Sequence, residues 1–477
     1  MHKSSCYRSY AINSVAGDSI CDQLNMLLAI VPLLAVCASS LADQDIQPIE
    51  VIEIEKELSR EVEEEFAGKA NHDELGLLKK QFASSHFGNA TSLISISTEL
   101  DFNLNNTDLF EGDIDLTPEQ WKVALDIDPA TRQRRQALYS VTQMWQPMGG
   151  PVIPYTFAAG FPSQYHQVVR DALAFWESRT CIKFRLVNQY DTDAIIFNHR
   201  SNGCSSSVGR RRGGQTINLE APGCMTVTII AHELSHAFGT LHVQSRVDRD
   251  TYVQIDTSNI VSGTEHNFAR EPNSFSTYGL PYEFGSMQHY FSYAFAIDKN
   301  RPTIYAKPAY QRFQGSMDGP RATFWDTVLI NKMYKCTDKC PKQMGCWAGG
   351  ITDGGDCYKC FCPRGWTGTN CEKRPADAQI INVGETPQSV KIDGRIQAPA
   401  GKRIEATLRT FGPNAFRMCR SIGLEILPLT DTRTSGIRFC ATPNPLTPIY
   451  SEANTTLLWL YRDTKYPVAV DVTVRAF

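Results

Sequence analysis

The stretch His232-Glu233-Leu234-Ser235-His236-Ala237-Phe238-Gly239-Thr240-Leu241-His242 constrains this chain more than any other. Residues four apart share one face of a helix, so His232 and His236 can offer two imidazoles to one cation while Glu233, between them, faces the same centre. Gly239 ends the helix where a left-handed residue costs least, and the chain turns back to bring His242 as a third ligand. A lone His-x-x-x-His pair also fits two surface histidines. With Glu, Gly and the third His in register, the pattern points to zinc. Three protein ligands leave one position open, which separates a catalytic zinc from a structural one.

The eleven residues match the metzincin signature. The polar run from His242 to Asp250, and later Ser286-Met287-Gln288-His289-Tyr290, resemble the astacin metalloproteases, whose third histidine leads into a similar stretch and whose later turn ends in His-Tyr. The resemblance extends from about residue 136 to Cys336. It implies a multidomain chain with an α+β metzincin catalytic domain that holds zinc in a cleft between two subdomains. It further implies one Zn2+, ligated by His232, His236 and His242 with Tyr290 as an additional ligand, and Glu233 and Tyr290 as the catalytic pair. Two positions depart from the family pattern: Val243 replaces the usual Glu after the third His, and Gln288 stands where Met is usual, with Met287 one place early. The first removes the carboxylate that usually anchors the mature N-terminus. For the second, an apolar floor beneath the ligands predicts that Gln288→Met is tolerated.

A chain of 477 residues should hold several domains. Its net charge of −4, with no long basic tract, gives no sign of a nucleic-acid partner. Of its 15 cysteines, Cys6, Cys21 and Cys37 lie early and the others begin at Cys181. That even dozen, in an exported chain, implies disulfides.

Export itself is expected from the apolar run Met26–Val36, too short to span a bilayer and followed by small residues at Ser40 and Ala42, which suits a signal peptide over 1–42. An uncleaved anchor is the alternative; Met26 also offers a second start. The mature chain is expected to carry no transmembrane segment and to be secreted. Residues 43–135 contain no cysteine and open with Glu-rich residues 50–65, whose apolar residues recur at the spacing of a solvated amphipathic helix. Phe110-Glu111-Gly112-Asp113-Ile114 resembles the astacin pro-segment motif, which implies that Asp113 ligates zinc in the zymogen form only. The basic cluster Arg132-Gln133-Arg134-Arg135 reads as a furin-like convertase site that exposes Gln136 as the mature N-terminus, or else as a solvated loop.

Within the catalytic domain, 136–337, Pro151–Tyr155, Cys181–Leu186 and Ala194–Phe197 read as strands. Ser163 is the expected cap of a helix with Val168, Val169, Ala172, Phe175 and Trp176 as its apolar stripe. The astacin pattern places the substrate-binding edge strand within 208–219, where Arg210, Arg211 and Arg212 suit either acidic substrates or a solvated turn. Trp325 to Tyr334 is the last helix. The resemblance pairs Cys181 with Cys336 and Cys204 with Cys224, a connectivity that sequence alone does not choose.

Six cysteines within 338–373 need a disulfide framework, because so short a piece lacks a core. Their spacing and Gly365-Trp366-Thr367-Gly368 resemble an EGF-like module, which implies pairs Cys340–Cys357, Cys346–Cys360 and Cys362–Cys371. Short alternating strands over 376–477 suggest a β-sandwich. Gly423-Leu424-Glu425-Ile426 and Gly436-Ile437-Arg438-Phe439-Cys440 resemble a CUB domain, with Cys419–Cys440 as its pair. Asn89, Asn105 and Asn454 stand in glycosylation sequons. The expected function is a secreted zinc endopeptidase made as a zymogen, cutting protein or peptide substrates such as matrix or cuticle components, with extracellular partners through its EGF and CUB modules. The alternative is a weak or inactive relative that binds through those modules, and a second rival is another metzincin branch such as an adamalysin.

Overall fold

The order in which strands meet explains where the cleft lies. The computed structural model describes residues 103, 109–124, 144–201, 203–270, 277–299, 301–317, 319, 321–376, 379–390, 394–412, 419, 422–443, 446–462 and 469–477, all within Gln81–Phe477. The signal, the Glu-rich stretch, Asn89, Asn105, the basic cluster with Arg135, and Gln136 lie outside the described residues.

A six-stranded sheet is built from β1 (Ile114–Asp115), β2 (Val152–Phe157), β3 (Lys183–Leu186), β4 (Ile195–His199), β5 (Cys204–Ser207) and β6 (Gln215–Leu219), in the order β1-β5-β6-β4-β2-β3. Strands β2, β3, β4 and β6 run parallel, whereas β5 is antiparallel to β6. The edge strand of the cleft is therefore Cys204–Ser207, one element earlier than the 208–219 segment predicts. Residues 215–219 form an interior strand, since they pair on both sides. On its outer edge β5 receives β1 in parallel, Ile114 opposite Ser206 and Asp115 opposite Ser207.

Helix α1 (Pro118–Ala124) follows β1, and α2 (His166–Glu177) packs against α3 (Val227–Ala237). Helix α2 begins after a 3-10 turn, Ser163–Tyr165, so Ser163 is not its cap; Tyr165 holds that position and makes no side-chain bond. Val169, Ala172 and Trp176 are buried as the stripe predicts, joined by Leu173, while Val168 and Phe175 pack at the margin. Beyond α3, β7 (Val253–Ile255) and β8 (Ile304–Ala306) pair antiparallel as a small separate sheet. Helix α4 (Phe324–Met333) starts with a capping box, in which Thr323 and Asp326 each bond the other's backbone N–H. Disulfides link Cys181 to Cys336 and Cys204 to Cys224.

Next comes a small module around the hairpin β9 (Ile351–Thr352) and β10 (Cys360–Phe361), held by Cys340–Cys357, Cys346–Cys360 and Cys362–Cys371. The chain ends in two sheets enclosing one apolar core. Five strands form the first: β11 (Ile380–Asn382), β13 (Gly394–Gln397), β18 (Thr455–Arg462), β15 (Ile422–Leu427) and β16 (Ile437–Phe439). The second contains β12 (Gln388–Val390), β19 (Ala469–Ala476), β14 (Ile404–Gly412) and β17 (Ile449–Tyr450). Cys419 and Cys440 are joined here. Among the described residues, no helix is long and apolar enough to cross a membrane.

Candidate metal centre

Helix α3 is buried on every side over residues 229–237, which is how a helix at the heart of a domain differs from an amphipathic surface one. Thr226 caps it by accepting from Ile229 N. Three aromatic donors fix it: Trp176 Nε1 to Ala231 O (2.9 Å), Trp145 Nε1 to Ala237 O (2.9 Å) and Tyr334 Oη to Phe238 O (3.0 Å). Gly239, at φ +108°, makes the left-handed step that sends the chain back toward the helix.

His232 and His236 present their Nε2 atoms 3.1 Å apart, and His242 joins them after the turn. His232 Nδ1 donates to Met287 O (2.8 Å) and His236 Nδ1 to Thr240 O (2.9 Å). A carbonyl only accepts, so these bonds place the protons on Nδ1 and leave Nε2 lone pairs converging on one point. Lone pairs held that close repel unless a cation lies between them. Asp113 adds its carboxylate at 3.1 Å from His232 Nε2, 3.2 Å from His242 Nε2 and 3.6 Å from His236 Nε2. All four ligand atoms lie within 4.8 Å of one another, and all four residues are buried. Three imidazoles and a carboxylate at this spacing fit zinc.

The electrostatics agree. Burial alone would raise the Asp113 carboxyl, but His242 and His236 beside it hold it well below the usual carboxylate range. Burial opposes charge on His242 too, and Asp113 and Glu111 reverse that, to about 10. Burial pushes His236 down. The Asp113 carboxyl, held low, thus keeps negative charge at the centre, where a cation would be favoured.

Glu233 is fully buried on the same helix, between the two histidines. Tyr290 lies with its ring centroid 4.8 Å from that of His242, and its hydroxyl donates to Glu111 O at 2.5 Å. Sequence reasoning missed Glu111. Its Oε2 accepts from His242 Nδ1 (2.7 Å) and from His242 N (3.2 Å), so a residue before the basic cluster supplies the third imidazole's partner. The signal lay in the pentapeptide itself. Phe110 and Ile114 pair across a tight turn in which Glu111 (φ +46°) and Gly112 (φ +75°) are both left-handed, and a non-glycine residue adopts that only under constraint.

Gln288 corrects a second expectation. The floor under the ligands is polar: Gln288 Nε2 donates to His232 O (3.1 Å) and Ser235 Oγ (2.5 Å), and Val243 N donates to Gln288 O (2.8 Å). Val243 itself lines a cavity with Leu241, Tyr278, Leu280 and Leu329, whose wall also carries Arg246, Glu283 and Asp326. Of the three arginines, Arg211 pairs with Asp115 (3.1 Å), Arg210 lies 3.6 Å from Asp193, and Arg212 is exposed. Asn454 is half-buried, with Nδ2 near Ala398 O at 3.3 Å.

Comparison with known proteins agrees with this geometry. Residues 138–335 match the model of the peptidase family described as Astacin. Zinc metalloproteinase nas-23 of Caenorhabditis elegans is 30% identical over 393 residues, which cover 76% of this chain and 72% of that protein. The chain belongs to the astacin family. Zinc metalloproteinase nas-28 of Caenorhabditis elegans is 35% identical over 326 residues, covering 67% of this chain. Zinc metalloproteinase dpy-31 of Teladorsagia circumcincta is 33% identical over 384 residues, covering 74% of this chain. The chain spans 64% of nas-28 and 61% of dpy-31. As an astacin it carries the catalytic domain of a zinc metalloendopeptidase.

Proposed function

We propose that this astacin is a secreted endopeptidase made as a zymogen, and that the described form is the latent one. The observation that carries the reading is Asp113, whose carboxylate sits among His232, His236 and His242 while β1 lies along the edge strand β5. An extended substrate would use that same edge, bonding its backbone to β5 once β1 has left. His232, His236 and His242 would hold the zinc, which when bound would supply Lewis acidity toward the scissile carbonyl and the attacking water. Glu233 takes the proton from that water and passes it to the leaving amine, and the Tyr290 hydroxyl, released from Glu111, donates to the developing oxyanion.

Cleavage after Arg135 by a furin-like convertase would free the segment and leave Gln136 first. The substrates are extracellular proteins, matrix or cuticle components among them. The following modules are read as EGF-like, on the three short-range disulfides, and CUB, on the two packed sheets. The test is zinc analysis of the purified chain together with a peptide-library digest before and after cleavage at residue 135. One zinc per chain, with digestion only after cleavage, is expected; a cleaved, zinc-loaded chain that cuts nothing would refute the reading.

A further inference from the structure

The turn from Glu283 to Tyr290 is gripped from two sides. Toward the metal centre it delivers the Met287 carbonyl to His232 Nδ1 and the Gln288 amide to the backbone of the zinc helix. Ser286 and Met287 are tied in turn to Asp326 at the start of α4. Its other side meets the C-terminal two-sheet module. Ser435 N, 152 residues further on, donates to Glu283 Oε2 (3.1 Å), and Glu283 Oε1 also accepts from Gly285 N (3.0 Å). Arg438 reaches Ser316 O (3.0 Å) and lies 3.5 Å from Gly285 O through both terminal nitrogens. Ser316 Oγ donates to Gly436 O (2.9 Å).

The fit is close as well as polar. A Cβ on Gly285 would stand 2.2 Å from Ser435 Oγ and 2.5 Å from Ser435 Cβ, and one on Gly315 would stand 2.6 Å from Arg438 O. Arg438 is 2% exposed and pairs with the fully buried Glu425 (3.0 Å), which also receives Arg364 of the three-disulfide module (2.5 Å). Two modules therefore meet at the Glu425 carboxylate, and Arg438 carries the contact on to Ser316 and Gly285 of the catalytic domain. A tether that merely carries a binding module needs no such network. Across the boundary Arg438 donates to Ser316 O and Glu283 accepts from Ser435 N, so separating these surfaces removes a hydrogen-bond partner from each of two buried ionisable side chains and is resisted.

We propose that Ser435 and Arg438 are positioning residues of the metal centre: the C-terminal module forms the rear wall of the 283–290 turn and thereby sets the Met287 carbonyl and the Gln288 amide against the zinc helix. On this view the module contributes to turnover itself, and not only to the capture of large substrates. The inference rests on the peptidase reading above for its kinetic consequence, and on geometry alone for its effect on the turn and the metal.

The test uses the full chain, cleaved at residue 135, as Gly285→Ala, Ser435→Gly, the double variant and Arg438→Gln. Three quantities are read: kcat and KM on a short fluorogenic peptide, the rate of zinc loss to EDTA, and hydrogen exchange across residues 285–290. Gly285→Ala and Arg438→Gln should each lower kcat about tenfold with little change in KM, and speed zinc loss about tenfold. Both should raise exchange in the turn. Ser435→Gly should partly restore Gly285→Ala, because it removes the two atoms nearest the new methyl and leaves Arg438 Nη2, 2.8 Å away at the end of a long side chain. Should Arg438→Gln not fold, the Gly285 and Ser435 pair decides. Parent-like kcat, zinc loss and exchange in Gly285→Ala, or a defect that Ser435→Gly does not relieve, would overturn the proposal. If the parent chain itself cuts no peptide, the peptidase reading falls, and zinc loss and exchange still decide the role of the module.

Discussion

Glu111 Oε2 lies 2.7 Å from His242 Nδ1, whereas His232 and His236 find their Nδ1 partners in the carbonyls of Met287 and Thr240. The third imidazole is thus oriented by a residue of the segment proposed above to depart on activation. Glu111→Ala, in a chain blocked by Arg135→Ala, should weaken the hold of this segment, since a hydrogen bond involving a charged group contributes roughly 1.5–3 kcal/mol. About a tenfold or greater rise in residual activity of the blocked form is expected. Unchanged residual activity would show that the contact only follows the seating of Asp113.

Asp113 itself should be the larger determinant. The blocked form, the same form with Asp113→Ala, and the chain beginning at Gln136 should rank lowest, intermediate and highest on one fluorogenic peptide. A carboxylate presented in cis has a high effective concentration at the metal, and its removal still leaves β1 covering the edge strand. Equal silence of the first two forms would assign latency to steric cover alone.

Glu233→Ala should retain one zinc, because the three imidazoles and their carbonyl or carboxylate partners are untouched. Loss of a general base costs about 10²–10⁴-fold in kcat. A variant that holds zinc and turns over at the parent rate would exclude Glu233 from proton transfer.

Gln288→Met should destabilise the domain by about 1–3 kcal/mol, since a thioether replaces a donor shared by His232 O and Ser235 Oγ. Denaturant unfolding of the blocked full chain measures this. An unchanged midpoint would mean that the floor adapts to an apolar side chain after all.

Glu283 gives the chain a pH dependence away from the metal. Burial pushes its carboxyl from an ordinary 4.5 up to about 7, backbone N–H donors from Gly285 and Ser435 oppose the rise, and Asp326 adds to it. Arg438 is the cation facing it across the module boundary. Between about 4.5 and 7 the unfolded chain has released this proton and the folded chain keeps it, so stability falls as pH rises through that window. The fall should be on the order of 3 kcal/mol, and Glu283→Gln should flatten it. A parent whose unfolding free energy does not decline relative to Glu283→Gln across this range would contradict the assignment.

The sequence by itself determined the parts of this protein that neighbouring residues encode. Four-residue spacing on a helix set His232 and His236 on one face, Gly239 permitted the return to His242, and the Phe110–Ile114 pentapeptide contained the turn that carries Asp113. Strand and helix positions followed from periodicity for the same reason, to within a few residues. What spacing does not encode is which surfaces meet. The edge strand proved to be β5 and not the 208–219 segment, because pairing depends on sheet order. Gln288 found polar partners on a helix more than fifty residues earlier. Glu111 met His242 across 131 residues, and Glu283 met Ser435 across 152. Only the tertiary structure brought these groups together, since a contact between distant segments is fixed by the packing of whole elements and leaves no local pattern to read.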